Sequence, residues 1–274
     1  MIHIKQFLPF CLLFFVCGCL EVSQEIHINK DGGGRIIERV MMAKAALKQL
    51  NAFFSSFPSD NKSKAKKTEK IDMYDKKKLI ADAKNYGPDV EYVSSKKVSS
   101  KTQDGYEVVY AFKDINKLRI NQNPGDKGPK TSDSKSEKKE ENVTFNFEKG
   151  SPSVLTVNFP PMEKAKKEKK EKAAKKDKES TQKEVDQMRE MLKDFYIGIS
   201  VQLEGEIVET NATYRDGNKI TLLEMDFNKL LSDEKQFESF AKKEPDTIEE
   251  TKVMLKNLPG FKIELNRKVE IKFE

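Results

Sequence analysis

The sequence is poor in the residues that form disulfides, bind transition metals or serve as a histidine base. Its 274 residues include three cysteines, two histidines and no tryptophan. Cys11, Cys17 and Cys19 all lie near the N-terminus, which excludes a disulfide scaffold for the rest of the chain. His27 is the one histidine beyond them. A His/Cys zinc site therefore lacks its ligands, and a Ser/His/Asp triad would depend on this single residue.

Long apolar runs are also missing, with one exception at the N-terminus. The run Phe7–Val16 (FLPFCLLFFV) follows Lys5 and is too short to span a bilayer, which takes roughly 20 residues. A polytopic membrane protein is therefore excluded, and the pattern predicts a secretory signal over residues 1–18. The signal ends in Val16-Cys17-Gly18-Cys19, which is similar to a bacterial lipobox, in which an apolar residue and two small residues precede a lipid-modified Cys.

Cys19 is the predicted lipidation site. Gly18 supplies the small residue that precedes the modified cysteine, whereas Phe15-Val16 before Cys17 does not. Two or more acyl chains, palmitate among them, give stable membrane attachment, and no free thiol then remains in the mature chain. We expect a lipoprotein of the bacterial cell envelope, anchored to the inner or the outer membrane with a periplasmic or surface-exposed body. The alternative is a plain signal peptide with incidental cysteines.

Charged residues are abundant but mixed in sign. The chain has 51 Lys and Arg against 45 Asp and Glu, and removal of the signal with Lys5 leaves a net charge of +5. The densest basic run, 164–178, has no Arg, no aromatic residue and no base-reading motif, so we expect no nucleic-acid partner. It belongs to a predicted charged helical or coiled-coil segment over about 163–195, which acts as a spacer or contacts anionic lipid headgroups. The lysines predicted for that contact are Lys164, Lys166, Lys167, Lys169, Lys170, Lys172, Lys175 and Lys176.

The sequence contains no motif for catalysis or cofactor binding. Asp31-Gly32-Gly33-Gly34 lacks the spacing of a phosphate-binding loop and is typical of a tight turn. The carboxylate pairs Glu204/Glu206 and Asp31/Glu38 are expected by coincidence among 45 acidic residues. We therefore expect a protein that is not an enzyme and has no cofactor or bound metal. His27 is expected to face solvent on its strand.

Alternation of apolar and polar residues predicts strands that are grouped in hairpins. One hairpin is predicted over 21–42, and a second pairs Val90–Val98 with Tyr106–Lys113 across a turn at Asp104-Gly105. A third hairpin pairs 143–147 with 154–159. Further strands are predicted over 197–203, continuing past a bend at Gly205 to 207–214, over 220–225, and as a strand or hairpin in 261–273.

Helical patterns separate these hairpins. Helices are predicted over Ala43–Phe54, over 185–195, 227–231, 233–242 and 246–257, and from a cap at Asp72 to about Asn85 with Leu79, Ile80 and Ala83 facing inward. The segments at about 59–70 and 121–141 are rich in charged and polar residues with few apolar ones, which predicts flexible insertions.

This order of elements predicts an α+β fold with an antiparallel sheet built from hairpins and packed on helices. Two charged or disordered insertions and a Lys/Glu-rich helix extend from it. We expect residues 19–274 to form a single domain, and a split near residue 160 into two smaller domains is the alternative.

The order of elements resembles the LppM-like family of bacterial envelope lipoproteins. The resemblance is carried by the lipobox, by IHINKDGGGRIIERV, by GPDVEYVSSKKV with DGYEVVYAFKDINKL, and by IGISVQLEGEIVETNATYRDGNKITLLEMDFNKLL. In the last stretch the matching positions are Leu203, Gly205, Ile207, Asn211, Asp216 and Gly217. The resemblance implies an α+β body on a lipid anchor, with lipid or phosphoinositide binding proposed for some members. Two departures are Thr221-Leu222 in place of a common Trp, and a C-terminus charged at alternate positions instead of a transmembrane helix.

Two hypotheses for function follow. The first is a non-catalytic, lipid-anchored envelope lipoprotein that binds a lipid, a small ligand or another envelope component, with Tyr106, Tyr110 and Phe112 lining an apolar cavity or forming the inward face of the core. The second is a structural or interaction lipoprotein that contacts a protein partner through exposed sheet edges or C-terminal helices. A large apolar pocket favours the first hypothesis, and a filled core with an exposed apolar patch favours the second.

Overall fold

The computed structural model of the chain describes residues 20–55, 72–122, 142–160, 182–242 and 248–274. Cys19 and the lysines from Lys164 to Lys176 lie outside these residues, as do segment 59–70 and all but the first two residues of segment 121–141. Predictions about those parts therefore stay predictions.

Thirteen strands are present in the described residues, and they form two sheets. In chain order they are β1 (Leu20–Ile28), β2 (Gly34–Ala43), β3 (Val90–Ser99), β4 (Gln103–Phe112), β5 (Arg119–Asn121), β6 (Asn142–Glu148), β7 (Ser153–Asn158), β8 (Tyr196–Leu203), β9 (Ile207–Thr210), β10 (Arg215–Asp216), β11 (Lys219–Asp226), β12 (Phe261–Ile263) and β13 (Lys268–Phe273).

The larger sheet has the order β10-β11-β8-β1-β2-β4-β3, with β12 paired to β11, and the smaller sheet has the order β5-β6-β7-β13-β9. All pairs are antiparallel except β1 with β8, which run parallel from Glu21↔Tyr196 to Ile28↔Leu203. With the helices described next, this confirms the predicted α+β class with mainly antiparallel sheets.

Six α-helices lie in the described residues: α1 (Lys44–Ser55), α2 (Lys76–Asp82), α3 (Gln182–Leu192), α4 (Phe227–Leu231), α5 (Glu234–Lys242) and α6 (Ile248–Lys256). The predicted cap of α2 was wrong: Asp75 accepts hydrogen bonds from the backbone N–H groups of Lys77 and Lys78, while Asp72 bonds the Tyr74 N–H in the preceding turn. Leu79 is buried as predicted, but Ile80 is 48% exposed because the seven residues of α2 make only about two turns and present a narrow inward face.

The three predicted hairpins are present, but the turn of the second one was misplaced. β3 and β4 join through Ser100–Thr102, and Asp104 and Gly105 lie inside β4, opposite Met42 and Met41 of β2. Glycine is required at this strand position because a Cβ on Gly105 would lie 1.9 Å from the Val40 carbonyl oxygen. The glycine marks a close approach of two strands rather than a turn.

Gly205 ends a strand instead of bending it. β8 stops at Leu203 in the larger sheet, and Ile207 begins β9 at the edge of the smaller sheet, so the predicted continuous strand over 197–214 was wrong. Gly205 has φ +137°, and a Cβ there would lie 2.0 Å from the Glu274 carbonyl oxygen. Likewise, β12 and β13 do not form a hairpin, because β12 joins the larger sheet and β13 the smaller.

Two apolar clusters hold these elements together. The larger cluster joins one face of the larger sheet to α1, α2 and the smaller sheet, and it includes Val22, Ile26, Leu47, Leu79, Phe145, Val157 and Ile271. The second cluster is helical and packs α3, α4 and α5 beside β12, with Val185, Phe227, Leu230, Phe237, Leu258 and Phe261 buried. The predicted packing of the C-terminal half of segment 163–195 is confirmed by Val185 in α3.

Candidate functional site

The predicted lipidation site is directly continuous with the central strand of the larger sheet. Cys19 is followed by Leu20, the first residue of β1, which is only 5% exposed. Leu20 pairs with Met42 of β2, and Glu21 pairs with Tyr196 of β8, so β1 is held on both sides from its second residue. No linker residue separates the predicted modified cysteine from the folded body.

Several elements meet at this end of the sheet, which we call the Leu20 end. It comprises Leu20, the first turn of α1 (Lys44–Lys48), the β3–β4 turn (Ser100–Thr102), the segment Lys193–Tyr196 leading into β8, and the start of α4. The first turn of α1 and the β3–β4 turn are bonded to each other: the Lys44 N–H donates to the Thr102 carbonyl at 2.8 Å, and the Lys44 ammonium donates to the Ser100 carbonyl at 2.6 Å.

The fully exposed charged residues at the Leu20 end are mostly lysines, whereas its acids Glu21, Asp104, Glu224 and Asp226 are half-buried. Lys44 pairs with Asp104 at 3.6 Å, and Lys229 pairs with Glu224 and Asp226. Lys48, Lys101 and Lys193 are exposed and make no ion pair with another described residue. Asp194 is the exposed acid beside them, and its carboxylate accepts a hydrogen bond from the Asn228 side chain.

The opposite end of the same strands, which we call the Gly32 end, carries five exposed acids beside the exposed bases Lys30, Arg35 and Arg215. It comprises the β1–β2 turn (Asn29–Gly33), residues 204–206, the β10–β11 turn and the end of β13. These parts are joined by backbone bonds, among them Glu204 N–H to the Ile28 carbonyl at 2.8 Å and Glu206 N–H to the Glu274 carbonyl at 3.1 Å. The exposed acids here are Asp31, Glu204, Glu206, Asp216 and Glu274.

The aromatic residues considered for a ligand cavity form the core instead. Tyr106, Tyr110 and Phe112 are buried in the larger cluster. Beside them Glu38, 2% exposed, accepts hydrogen bonds from the hydroxyls of Tyr86 and Tyr106 and from the Gln24 amide. A buried carboxylate supplied with donors in this way has a structural role in uniting β1, β2, β4 and the turn after α2.

This cluster shifts the acidity of its tyrosines. Burial, and next the negative charge of Glu38, raise the pKa of Tyr86, Tyr106 and Tyr110 well above the ordinary tyrosine value. The three hydroxyls therefore stay protonated and act as donors, and none is poised to act as a base near neutral pH.

The structure does not bring His27, Asp31 and Glu38 together. His27 is half-buried rather than facing solvent freely, its Nε2 lies 3.7 Å from Glu25 Oε1, and burial lowers its pKa. Asp31 is exposed in the β1–β2 turn, whereas Glu38 is buried four residues into β2, about 13 Å along the strand. Across the described ranges, no three or more His, Cys, Asp or Glu residues are placed to hold a metal ion.

A cleft of about 200 Å³ lies on the surface of the paired strands β9 and β13. It is lined by Glu209, Thr210, Asn211, Lys268, Glu270 and Lys272. Its charged groups already pair with each other, since Lys272 and Glu209 are 2.7 Å apart, and the Asn211 amide donates to the Lys268 carbonyl. The cleft is smaller and more polar than typical small-molecule sites, which run from about 300 to 1,000 Å³ and are mostly apolar.

Exposed apolar side chains are scattered over the described surface. Ile80, Val93, Val208 and Val253 are each about half exposed or more, and they lie on α2, β3, β9 and α6 respectively. Val93 and Val208 stand on edge strands of the two sheets. Within the residues that the structure describes, no helix has the length and apolarity needed to cross a membrane.

The arrangement of the chain is similar to that of the folded domain of Mycobacterium tuberculosis LppM, determined by NMR. The TM-score is 0.31 and the sequence identity 10%, with 76% of this chain and 82% of that chain covered. No protein-family model matches the chain, and no curated protein matches it. At this score and identity the likeness carries no argument about function, and membership of the LppM-like family stays a prediction.

Proposed function

We propose that the protein is a non-catalytic lipoprotein of the bacterial cell envelope, held on a membrane by acyl groups on Cys19. The observation that carries the proposal is the position of the lipobox directly before a central strand. The sequence pattern ends the signal at Gly18, and Leu20, the first residue that the structure describes, already pairs with Met42 of β2. A signal that is removed up to Cys19 leaves every strand of the described body intact.

The contents of the body support binding at its surface rather than inside it. The tyrosine-lined face is filled by the core, and the cleft on β9 and β13 is too small and polar for an acyl chain. We therefore favour an envelope component, recognised at sheet edges or at the C-terminal helices, over an enclosed lipid. The edge strand β3 supports this choice, because it is ten residues long and Val93 on it is 56% exposed.

The test of the anchor is the intact mass of the membrane-extracted protein. We expect a mature chain that starts at Cys19 and carries acyl groups, and we expect Cys19→Ser to abolish both processing and acylation. Cys17→Ser is the matched control and should leave the mass of the mature protein unchanged, since Cys17 is removed with the signal. An unprocessed mass, or a cleaved chain without lipid, would refute the proposal.

The basic run remains a separate part of the proposal. If that segment contacts headgroups, replacing Lys164, Lys166, Lys167 and Lys169 with Glu in the acylated protein should weaken its binding to anionic vesicles. An unchanged interaction assigns the run to a spacer.

A further inference from the structure

We infer that the Leu20 end of the body lies within the headgroup layer of the membrane, with the strands of the larger sheet pointing away from the bilayer. The inference rests on the proposed acylation of Cys19 and adds to it a fixed orientation. It assigns a membrane-contacting surface to the first turn of α1 and to the β3–β4 turn.

The first step is the short distance between the acylated residue, Cys19, and the first strand residue, Leu20; we call this connection the tether. Consecutive Cα atoms are about 3.8 Å apart, and the headgroup layer on each side of a bilayer is about 5–8 Å thick. The acyl chains fix Cys19 at the boundary of the hydrocarbon region, so Leu20 lies inside the headgroup layer or at its outer edge. Because Leu20 pairs with Met42 and the next residue, Glu21, pairs with Tyr196, Leu20 cannot move far from the body without breaking pairs at the centre of the sheet.

The second step is what the register places beside Leu20. Leu20 pairs with Met42, and Met42 pairs with Asp104. The β3–β4 turn ends at Thr102, two residues before Asp104. The bonds between Lys44 and the carbonyls of Ser100 and Thr102 fasten α1 to that turn. These groups therefore approach the membrane together with Leu20.

The third step is the distribution of charge. Lys48 and Lys101 are exposed at the Leu20 end, whereas Glu204 and Glu274 stand at the Gly32 end. The nine residues of β1 separate the two ends by about 26 Å, at about 3.3 Å per residue. Electrostatic forces are screened over about 8 Å at physiological ionic strength, so an anionic surface attracts the near lysines and hardly repels the distant acids. Tether and charge thus favour the same orientation.

The test compares two labelled positions on the full acylated protein in vesicles. The proposed mature chain has no free thiol, so Thr102→Cys and Lys30→Cys each introduce a single labelling site, in the β3–β4 turn and the β1–β2 turn respectively. Vesicles containing phosphatidylglycerol and a lipid with a nitroxide headgroup then report, by fluorescence quenching, which label lies near the surface. The label at position 102 should be quenched at least about threefold more than the label at position 30, given their separation.

The outcomes separate this inference from the proposed function. Acylated, vesicle-bound protein that is quenched equally at both positions, or more at position 30, refutes the orientation and leaves the anchor standing. Protein that carries no acyl group and does not bind vesicles refutes the anchor and the orientation together.

A charge series tests the role of the lysines in the same assay. Lys48→Glu with Lys101→Glu should reduce quenching of the position-102 label on anionic vesicles and have little effect on zwitterionic ones. Lys113→Glu with Lys149→Glu is the matched control, because it makes the same change of charge away from the Leu20 end. Equal effects of the two pairs would refute the charge step.

Discussion

Tyr86→Phe is expected to destabilise the protein near neutral pH and to make it less sensitive to alkali. The Tyr86 hydroxyl donates to the buried carboxylate of Glu38 and accepts from the Gln24 amide at 2.8 Å. A hydrogen bond to a charged group contributes about 1.5–3 kcal/mol, so we expect the free energy of unfolding to fall by about that amount. Tyr92→Phe is the control. It removes a neutral bond to the Ser95 hydroxyl at 2.8 Å, and should cost about 1 kcal/mol.

The alkaline effect follows from the raised pKa of Tyr86, Tyr106 and Tyr110. Above about pH 10 the unfolded chain loses these three protons while the folded chain keeps them, so the unfolded state binds fewer protons and stability falls as pH rises. Each such group contributes about 1.4 kcal/mol per pH unit, or about 4 kcal/mol per unit for the three. Tyr86→Phe removes one of them, so its slope should be shallower by about 1.4 kcal/mol per unit.

The measurement is urea unfolding followed by circular dichroism at several pH values between 8 and 11.5. Lys117, Lys229, Lys272 and Tyr196 also have raised pKa values and add a loss of the same sign, but they are present in both proteins, so the difference between the slopes isolates Tyr86. The destabilisation by Tyr86→Phe should shrink from about 2 kcal/mol at pH 8 to below about 1 kcal/mol at pH 11. A destabilisation that stays constant over this range would refute the assignment of Tyr86 as a buried, protonated donor.

Two further predictions concern the strand contact at Gly105 and the helical cluster. Gly105→Ala should lower the free energy of unfolding by about 3 kcal/mol, because its Cβ would meet the backbone of Val40 and Met41. Gly217→Ala, where a Cβ meets nothing within 4 Å and φ is +58°, should cost only about 1 kcal/mol in the same chemical denaturation assay. If the two substitutions lowered the free energy of unfolding equally, the close strand contact at Gly105 would be refuted. Phe237→Ala should cost about 3–5 kcal/mol, since Phe237 is fully buried, whereas the change Val253→Ala, at a site 63% exposed, should be close to neutral by thermal unfolding.

Local structure could be predicted from the sequence wherever one period of apolar residues dominates. The apolar residues of β1, β6 and β8 fall at alternate positions, with the buried Gln24 as the polar exception in β1, and the Asp31-Gly34 turn has the chemistry that a tight hairpin needs. Errors arose where a residue type has two uses. Gly105 beside Asp104 is typical of a turn, yet it also permits a close strand approach, and only the position of Val40 decides between the two.

Pairing between distant strands could not be predicted, because alternation fixes which face a residue occupies but not which strand lies beside it. The pairing of β1 with β8 and the division of the strands into two sheets at Gly205 could therefore not be predicted. For the same reason, the grouping of residues at the Leu20 end could not be predicted. Lys48 and Lys101 are far apart in sequence, and only the register of β2 with β4 brings them to one end of the sheet. The dense lysine run is conspicuous in the sequence, whereas these dispersed lysines are not.

The parallel pairing of β1 with β8 has a consequence for how the chain folds during its synthesis. β1 is synthesised first, but one of its two neighbours begins at Tyr196, about 175 residues behind it. At synthesis rates of about 5–20 residues per second, β1 waits roughly 10–35 seconds for that neighbour. During this interval the larger sheet has an open edge at its future centre and the body cannot close. The topology itself therefore delays folding until most of the chain has been made, which suits the export that we propose for this protein.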